Sequence, residues 1–359
     1  VSIANKYRPS KFSEVIGQNI SVRIMINSIL MCRVQSMLLS GMRGVGKTTL
    51  ARLYGKALNC DNFMQLGDIC NGCTSCVNFS KKHQSVMEYD AASNNSVDDI
   101  RKIESLINQV PIYKYNVVIL DECHMLSKSA QNALLKALEE PNRSTIFLLV
   151  TTNPDKLIAT VRSRCLSMPL RALSPVDVGI GVRRVLDGEE KDFTAPFVDS
   201  LAARCDGSLR DTYQILEQLI IASHNSDLDI SYLEESVGII SVDRYKDLAA
   251  VLCAKDLKFS LEEVERWYRE GVDLQYLFLE GIPNLLRDFA VYLSGAYSKS
   301  IYYKSGISHD SLKRNLTSNL EDVSLFSNEW ENIEHMMRES SNSKIMWEVY
   351  FINVFKSMG

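Results

Sequence analysis

The sequence predicts an α/β fold: a parallel sheet covered by helices on both faces in the first half of the chain, then an all-helical second half. Three observations carry this. Strand-length apolar runs, SMLLSG at 36–41, YNVVILDE at 115–122 and TIFLLVTT at 145–152, alternate with helical patterns. Such uninterrupted Val/Ile/Leu strands belong to sheets buried on both sides. The first run passes through a glycine-rich turn, GMRGVGKT, directly into an amphipathic segment. After Ser174-Pro175, a cap-plus-proline helix start, strand signals fade.

Taken in order, KTTLARLYGKAL sets Leu50, Leu53, Ala57 and Leu58 on one helical face. VMEYD at 86–90 reads as a strand. SVDDIRKIESLINQV predicts a helix capped by Ser96 with Asp99, burying Val97, Ile100, Ile103, Ile107 and Val110, and ended by Pro111. Ser127 opens the helix SKSAQNALLKALEE, which stops before Pro141. Asn153 and Pro154 suit the N-cap and first position of one helix through PDKLIATVRSR. Farther on, LEEVERWYREGVD and LQYLFLEGIPNLLRDFAVYL are helical in pattern, and the polar stretch 304–325 is expected to be a loop.

A chain of 359 residues, 46% hydrophobic and 23% charged, has the composition of a globular protein of about two or three domains. Its apolar runs are too short to span a bilayer as a helix. The N-terminus VSIANKYRPS has no apolar h-region, so no signal peptide is expected. Nine cysteines, an odd number, point to a reducing compartment. Residues 1–170 hold 20 Lys and Arg against 13 Asp and Glu, a net of +7, while 171–359 hold 20 against 31, a net of −11. The first part would suit a polyanion and the second would repel one, although scattered solvated charge explains either half taken alone as well.

Gly41 to Thr48 match G-x-x-x-x-G-K-[ST] between a strand and a helix, the context this phosphate-binding motif requires. Backbone N–H groups of Gly41, Met42, Arg43, Gly44, Val45 and Gly46, and of Thr49 beyond them, are candidates to close around phosphates at a helix N-terminus. Lys47 would meet the β and γ phosphates and Thr48 would ligate Mg²⁺. VVILDE brings Asp121 and Glu122 to a strand tip. Asp121 suits the Mg²⁺ role and Glu122 the orientation of an attacking water. Thr152, or Thr151 if the register slips by one, would sit beside them. His124 resembles a base, but phosphoryl transfer needs no imidazole, and a structural hydrogen bond explains it as well. Arg210, in the first turn of a helix capped by Ser208, opposes the helix dipole, so either an incoming phosphate or Asp211 must compensate. Arg164 closes a helix, where a cation is locally comfortable.

Cys60, Cys70, Cys73 and Cys76 are spaced C-x9-C-x2-C-x2-C. Four thiolates make a closed tetrahedral Zn²⁺ shell, which staples and does not catalyse. The ferredoxin run needs a fourth cysteine three residues on and then Pro, which Val77 to Ser80 do not supply. Free buried thiols are the third reading.

Together, KYRPSKFSEVIGQ at 6–18, GMRGVGKT, DECHMLSKSAQNALLKALEEP at 121–141, TTNPDKL at 151–157 and SRC at 163–165 resemble the AAA+ ATPases, and within them the gamma/tau subunits of the bacterial DNA polymerase III clamp loader. The resemblance is nearly continuous to about residue 220 and vaguer beyond. It implies an AAA+ core over 1–170 with a zinc module at about 59–80, a helical lid over 171–237 and a helical collar over 238–359 that joins subunits. It implies that Tyr7, Arg8, Pro9, Val15, Ile16 and Gly17 lie along the adenine of ATP, that Arg210 senses the γ phosphate, and that Arg164 reaches a neighbouring subunit's ATP. Implied partners are delta, delta-prime, further copies of the chain, a sliding clamp and primed DNA, in the cytoplasm, with no membrane. Cys123 departs from the family's usual Val. Two other readings accompany this one: a non-hydrolysing scaffold of the delta-prime kind, and another AAA+ DNA motor such as a branch-migration helicase. Helix starts at Asn95-Ser96 and Ser127-Lys128 are candidate DNA contacts, although ordinary capping explains both serines.

Overall fold

The computed structural model describes residues 2–79, 85–107, 110–139, 144–223, 228, 240, 242–295, 305–316 and 318–358. The chain divides into two compact units, Val1–Gly188 with Cys205–Glu217, and Glu189–Arg204 with Gln218–Gly359. The boundary expected at 237/238 lies outside the described residues.

The first unit is built on five parallel strands: β1 (Met37–Ser40), β2 (Val86–Asp90), β3 (Asn116–Asp121), β4 (Thr145–Thr151) and β5 (Leu166–Pro169). They lie in the order β2-β3-β4-β1-β5. Side chains of alternate residues leave a strand on opposite faces, and two separate cores follow from that. Met37, Leu39, Val117, Ile119, Leu148 and Val150 pack with Leu50, Leu53, Tyr54 and Ala57 of the helix Lys47–Leu58. Leu38, Val118, Leu120, Phe147 and Leu149 pack with Ile100, Ile103, Ala130 and Leu134 of the helices Val97–Ile107 and Lys128–Glu139. The continuous apolar runs are therefore two interleaved faces.

Local signals hold where a cap fixes them. Ser96 and Asp99 form a reciprocal box, the Asp99 amide donating to Ser96 Oγ at 3.2 Å and the Ser96 amide to Asp99 Oδ2 at 3.3 Å. Ser127 Oγ accepts from the Ala130 amide at 3.2 Å. Both hydroxyls are thus engaged by their own helices.

Three expectations are corrected, and one gains a detail. Val110 is not on the buried face of the helix described over Val97–Ile107: it is 89% exposed. PDKLIATVRSR is not one helix but a 3₁₀ turn, Pro154–Lys156, and a short helix, Ala159–Ser163. Ile158 between them is extended because its amide is drawn to Gln131 Oε1 at 2.9 Å. LQYLFLEGIPNLLRDFAVYL is helical throughout, as expected, with a π turn, Leu277–Gly281, between Leu274–Tyr276 and Ile282–Leu293; Pro283 has no N–H to continue an α-helical ladder there. Finally, 304–325 is not a loop throughout. It contains the helix His309–Asn315, capped by Ser308, and the start of Leu320–Glu339, opened by an Asn319–Asp322 capping box.

The second unit is all helical where described, apart from one isolated bridge between Phe193 and Leu228. Its core gathers Trp267, Phe278, Phe289, Phe326, Trp347, Tyr350 and Phe351. Trp347 meets Trp267 and Phe278 edge-on, with ring centroids 5.6 and 5.1 Å apart. Its indole N–H donates to the Leu274 carbonyl at 2.8 Å. No described helix is long and apolar enough to cross a membrane.

Candidate nucleotide site and cysteine cluster

Strand order decides what meets what. β3, β4 and β1 are neighbours, so the turn after β1, the carboxylates ending β3 and the hydroxyl after β4 share one edge. In open parallel sheets, the carboxyl edge is where ligands bind.

The turn after β1 requires glycine at two places. Gly41 has φ +146° and a Cβ there would lie 2.5 Å from the Leu170 carbonyl oxygen; Gly44 has φ +80° and a Cβ would lie 1.8 Å from Ser208 Oγ. A side chain at either would force the backbone apart. Val45 is buried, Met42 and Arg43 stand exposed, and Gly46, at φ +100°, precedes the helix. Thr48 and Thr49 follow in its first turn. Lys47 is 6% exposed and donates to the carbonyls of Gly41 and Met42, both at 2.8 Å. Burial pulls its pKa down, while the nearby Glu122 and Asp121 carboxylates hold it up.

Thr48 Oγ1 donates to Asp121 Oδ2 at 2.8 Å, bringing together the two expected Mg²⁺ ligands. A hydroxyl and a carboxylate are hard oxygen donors, the chemistry Mg²⁺ takes. Glu122 sits at φ +47°, a turned-out conformation, and its Oε2 accepts from Thr152 Oγ1 at 3.1 Å and the Thr152 amide at 3.3 Å. His124 Nδ1 lies 3.0 Å from Thr151 Oγ1 and 3.3 Å from Glu122 Oε2. Thr151 is fully buried. Of the two threonines, Thr152 thus reaches the carboxylate, while Thr151 holds the imidazole.

Arg210 stands in the first turn of the helix Leu209–Ser223, whose Ser208 Oγ accepts from the Asp211 amide at 3.3 Å. Its Cβ would lie 3.3 Å from a Cβ on Gly44, so the arginine borders the phosphate turn. Arg8 lies near it. Burial lowers the Arg8 pKa, Arg52 and Arg210 lower it further by repulsion, and Glu88 partly offsets them. Arg52 itself pairs with Glu88 through two hydrogen bonds, at 2.6 and 2.7 Å. Three guanidiniums thus crowd one region, where Glu88 pairs with Arg52 and Asp121 also attracts it; the repulsion that Arg52 and Arg210 exert on Arg8 favours an incoming anion. Arg52 and Glu88 were not singled out from sequence. Their signal was weak: an arginine one turn beyond the phosphate motif and an acidic residue interrupting a short strand.

The remaining N-terminal candidates also lie beside the site's helices. A Cβ on Gly188 would come 2.3 Å from the Tyr7 hydroxyl, one on Gly181 would come 3.4 Å from Ile16 Cδ1, and Gly17 abuts Leu173. Val15 packs against the core below the sheet, and Pro9 is half-buried between Arg8 and Ser10. Arg164 stands apart. It caps Ala159–Ser163, donates to the Thr160 carbonyl at 3.1 Å and pairs with Glu139.

The thiol sulfurs of Cys60, Cys70, Cys73 and Cys76 all lie within 4.8 Å of one another. Cys70 Sγ accepts from the amides of Gly72 at 3.4 Å and Cys73 at 3.3 Å, and Cys60 Sγ from the Cys70 amide at 3.5 Å. Burial acts to raise the Cys70 thiol, but the Cys73 and Gly72 amides, with neighbouring thiols, outweigh it and bring its pKa to about 6. Burial raises Cys60 and Cys76. Four converging sulfurs with N–H donors aimed at two of them fit a tetrahedral Zn²⁺, whose thiolates need such support.

Similarity to known proteins agrees with this geometry. A family model described as "DNA polymerase III, delta subunit" matches residues 17–174. The chain is 34% identical over 282 residues to DNA polymerase III subunit gamma of Buchnera aphidicola subsp. Schizaphis graminum, covering 77% of each protein. It is 31% identical over 356 residues to DNA polymerase III subunit tau of Bacillus subtilis, covering 97% of this chain but only 62% of that protein. Among solved structures it resembles the Thermotoga maritima RuvB Holliday junction branch migration motor, with a TM-score of 0.51 at 16% identity over 68% of this chain and 79% of that one. At that identity the likeness speaks to fold alone. Fold and site define an AAA+ protein with a P-loop. More narrowly, the chain belongs to the DNA polymerase III gamma/tau subunit family.

Proposed function

We propose that this chain is an ATP-hydrolysing clamp-loader subunit of a bacterial DNA polymerase III, working in the cytoplasm. With delta, delta-prime and further copies of itself, it would open a sliding clamp and set it on primed DNA. The observation that carries the proposal is the Thr48–Asp121 hydrogen bond beside Lys47. It joins the elements that phosphoryl transfer needs: a phosphate cradle, a metal site and a neighbouring carboxylate.

In this reading the backbone from Gly41 to Thr49 cradles the triphosphate of ATP. Lys47 exchanges its two loop carbonyls for the β and γ phosphates. Thr48 and Asp121 would hold Mg²⁺, which would supply positive charge beside the phosphates. Glu122, oriented by Thr152, aligns and polarises the attacking water. Arg210 reports the γ phosphate from the lid, and Arg164 leaves Glu139 to enter the ATP site of an adjacent subunit. Tyr7, Arg8, Pro9, Val15, Ile16 and Gly17 border the adenine. Zn²⁺ on Cys60, Cys70, Cys73 and Cys76 acts as a structural staple. Residues 1–170 form the core, with the zinc module at about 59–80, 171–237 form the lid and 238–359 the collar.

A non-hydrolysing scaffold would not need Lys47, Asp121 and Glu122 together. The deciding experiment reconstitutes the chain with its partner subunits and clamp, then measures ATP turnover with and without primed DNA. Slow turnover in the dilute single chain and fast, DNA-stimulated turnover after assembly are expected. A reconstituted complex that loads clamps while this chain turns over no ATP would favour the scaffold.

A further inference from the structure

The segment Ser10–Glu14 is held from two sides. Toward the lid, Arg184 Nη1 donates to the Glu14 carbonyl at 3.1 Å. From the cysteine module, Asp68 accepts from the amides of Phe12 at 2.9 Å, Ser13 at 3.1 Å and Ile69 at 2.7 Å. Asn71 Nδ2 donates to Ser10 Oγ at 3.0 Å. Phe63 of the same module meets Phe12 edge-on, with centroids 6.3 Å apart, and both rings are almost fully buried. The Ser10 amide closes the segment on Glu14 Oε2 at 2.7 Å. A carboxylate accepting two N–H groups of the segment, and fixed by its own neighbour's amide, is a strong and directional tether. It binds the start of the 3₁₀ turn Phe12–Glu14, whose first two amides find their acceptors in this carboxylate.

We infer that the cysteine module is a support for the base-binding segment, and that Asp68 is its positioning residue. The chain runs from the four thiols to Asp68 and Asn71, then to Ser10–Glu14, and so to Tyr7–Pro9 on one side and Val15–Gly17 on the other. This rests on the proposal that those residues border the adenine. It assigns the module a task beyond general stability: ordering the chain against the base before nucleotide arrives, which lowers the entropy cost of binding. The phosphate cradle lies on a different turn, so the effect belongs to the base and not to the phosphates.

The test is a pair of binding titrations on the full chain with Mg²⁺ present, one with ATP and one with inorganic tripolyphosphate. Asp68→Asn keeps the shape but sets an amide NH₂ against N–H donors. ATP should bind about tenfold more weakly, as for the loss of one charge-assisted hydrogen bond. Tripolyphosphate affinity and zinc content should remain near wild type, with the melting temperature lower by only about 3–6 °C. Asn71→Ala, which removes the Ser10 contact, should weaken ATP by about threefold; it decides the matter if Asp68→Asn melts early. Unchanged ATP affinity in both variants, or equal loss for ATP and tripolyphosphate, overturns the inference. A wild-type chain that binds no ATP would instead overturn the nucleotide reading itself, so the two failures are distinguishable.

Discussion

The two compact units use polar groups in opposite ways. In the second, they finish internal business. Buried Asp288 accepts from the Ser305 amide and hydroxyl, both at 2.7 Å, Trp347 bonds a carbonyl, and Asn319 and Asp322 close a helix start on each other. In the first unit, one sheet edge holds Lys47, Thr48, Asp121, Glu122 and Thr152 within a few bonds of one another, with Arg8 and Arg210 nearby. A folding argument accounts for the former, since buried polar groups must be paired. It does not account for repelling arginines and a buried lysine resting on its own loop. Groups gathered at such cost imply a ligand that resolves them.

The sharpest way to break this contrast is Arg164→Ala. If Arg164 acts across a subunit joint, turnover in the assembled complex should fall about 10³- to 10⁵-fold, with ATP binding by the isolated chain unchanged. Equal turnover per chain in dilute monomer and wild-type complex would remove its role. Glu122→Gln should cost about 10²- to 10⁴-fold in turnover. ATP affinity should hold, because Glu122 contacts Thr152 rather than the cradle. A variant hydrolysing at the wild-type rate would mean that the strand tip is only a solvated acidic end.

How much of this could be read in advance differed by residue. The phosphate turn and VVILDE were legible because short motifs fix their own geometry, and parallel strand order brings their ends together. Ser96 and Ser127 were legible for the same local reason. The break at Ile158 was not, since it depends on Gln131, 27 residues away in sequence. Glu139 facing Arg164, Arg52 facing Glu88, and Asp68 facing Phe12 were equally hidden: each is an unremarkable charge until folding supplies its partner. The Ser308 cap and the Asn319–Asp322 capping box were written plainly enough, but overall polarity masked them.

The cysteine cluster sharpens the comparison from within the first unit, since it is a closure in a unit otherwise marked by an open edge. Cys73→Ser, or zinc removal by a chelator, should destabilise that unit by about 3 kcal/mol, lowering its melting temperature by roughly 6–12 °C. Turnover per folded, assembled chain should change far less than in Glu122→Gln. Unaltered melting in Cys73→Ser would count against a metal staple.

The smallest expected effect tests whether the second unit's polar groups act only in folding. Asp322 sits in the first turn of Leu320–Glu339, accepts from the Asn319 amide at 2.8 Å and pairs with Lys255 at 2.7 Å. Partial burial raises its pKa, but Lys255 and the Asn319 amide outweigh that and bring it below the usual value. A carboxylate with a depressed folded pKa adds stability above its unfolded pKa of about 3.9, and that stability is lost as pH falls through the folded value. Asp322→Asn should therefore destabilise the second unit at pH 7 by about 1 kcal/mol, the worth of a helix cap. The gap should close as pH falls below about 4, where the wild-type carboxylate also protonates. Denaturant melts of both proteins at pH 7 and pH 3 check this. A gap that stays constant would mean that Asp322 acts through shape and not charge, and a change in ATP affinity would mean that this unit is more than a scaffold.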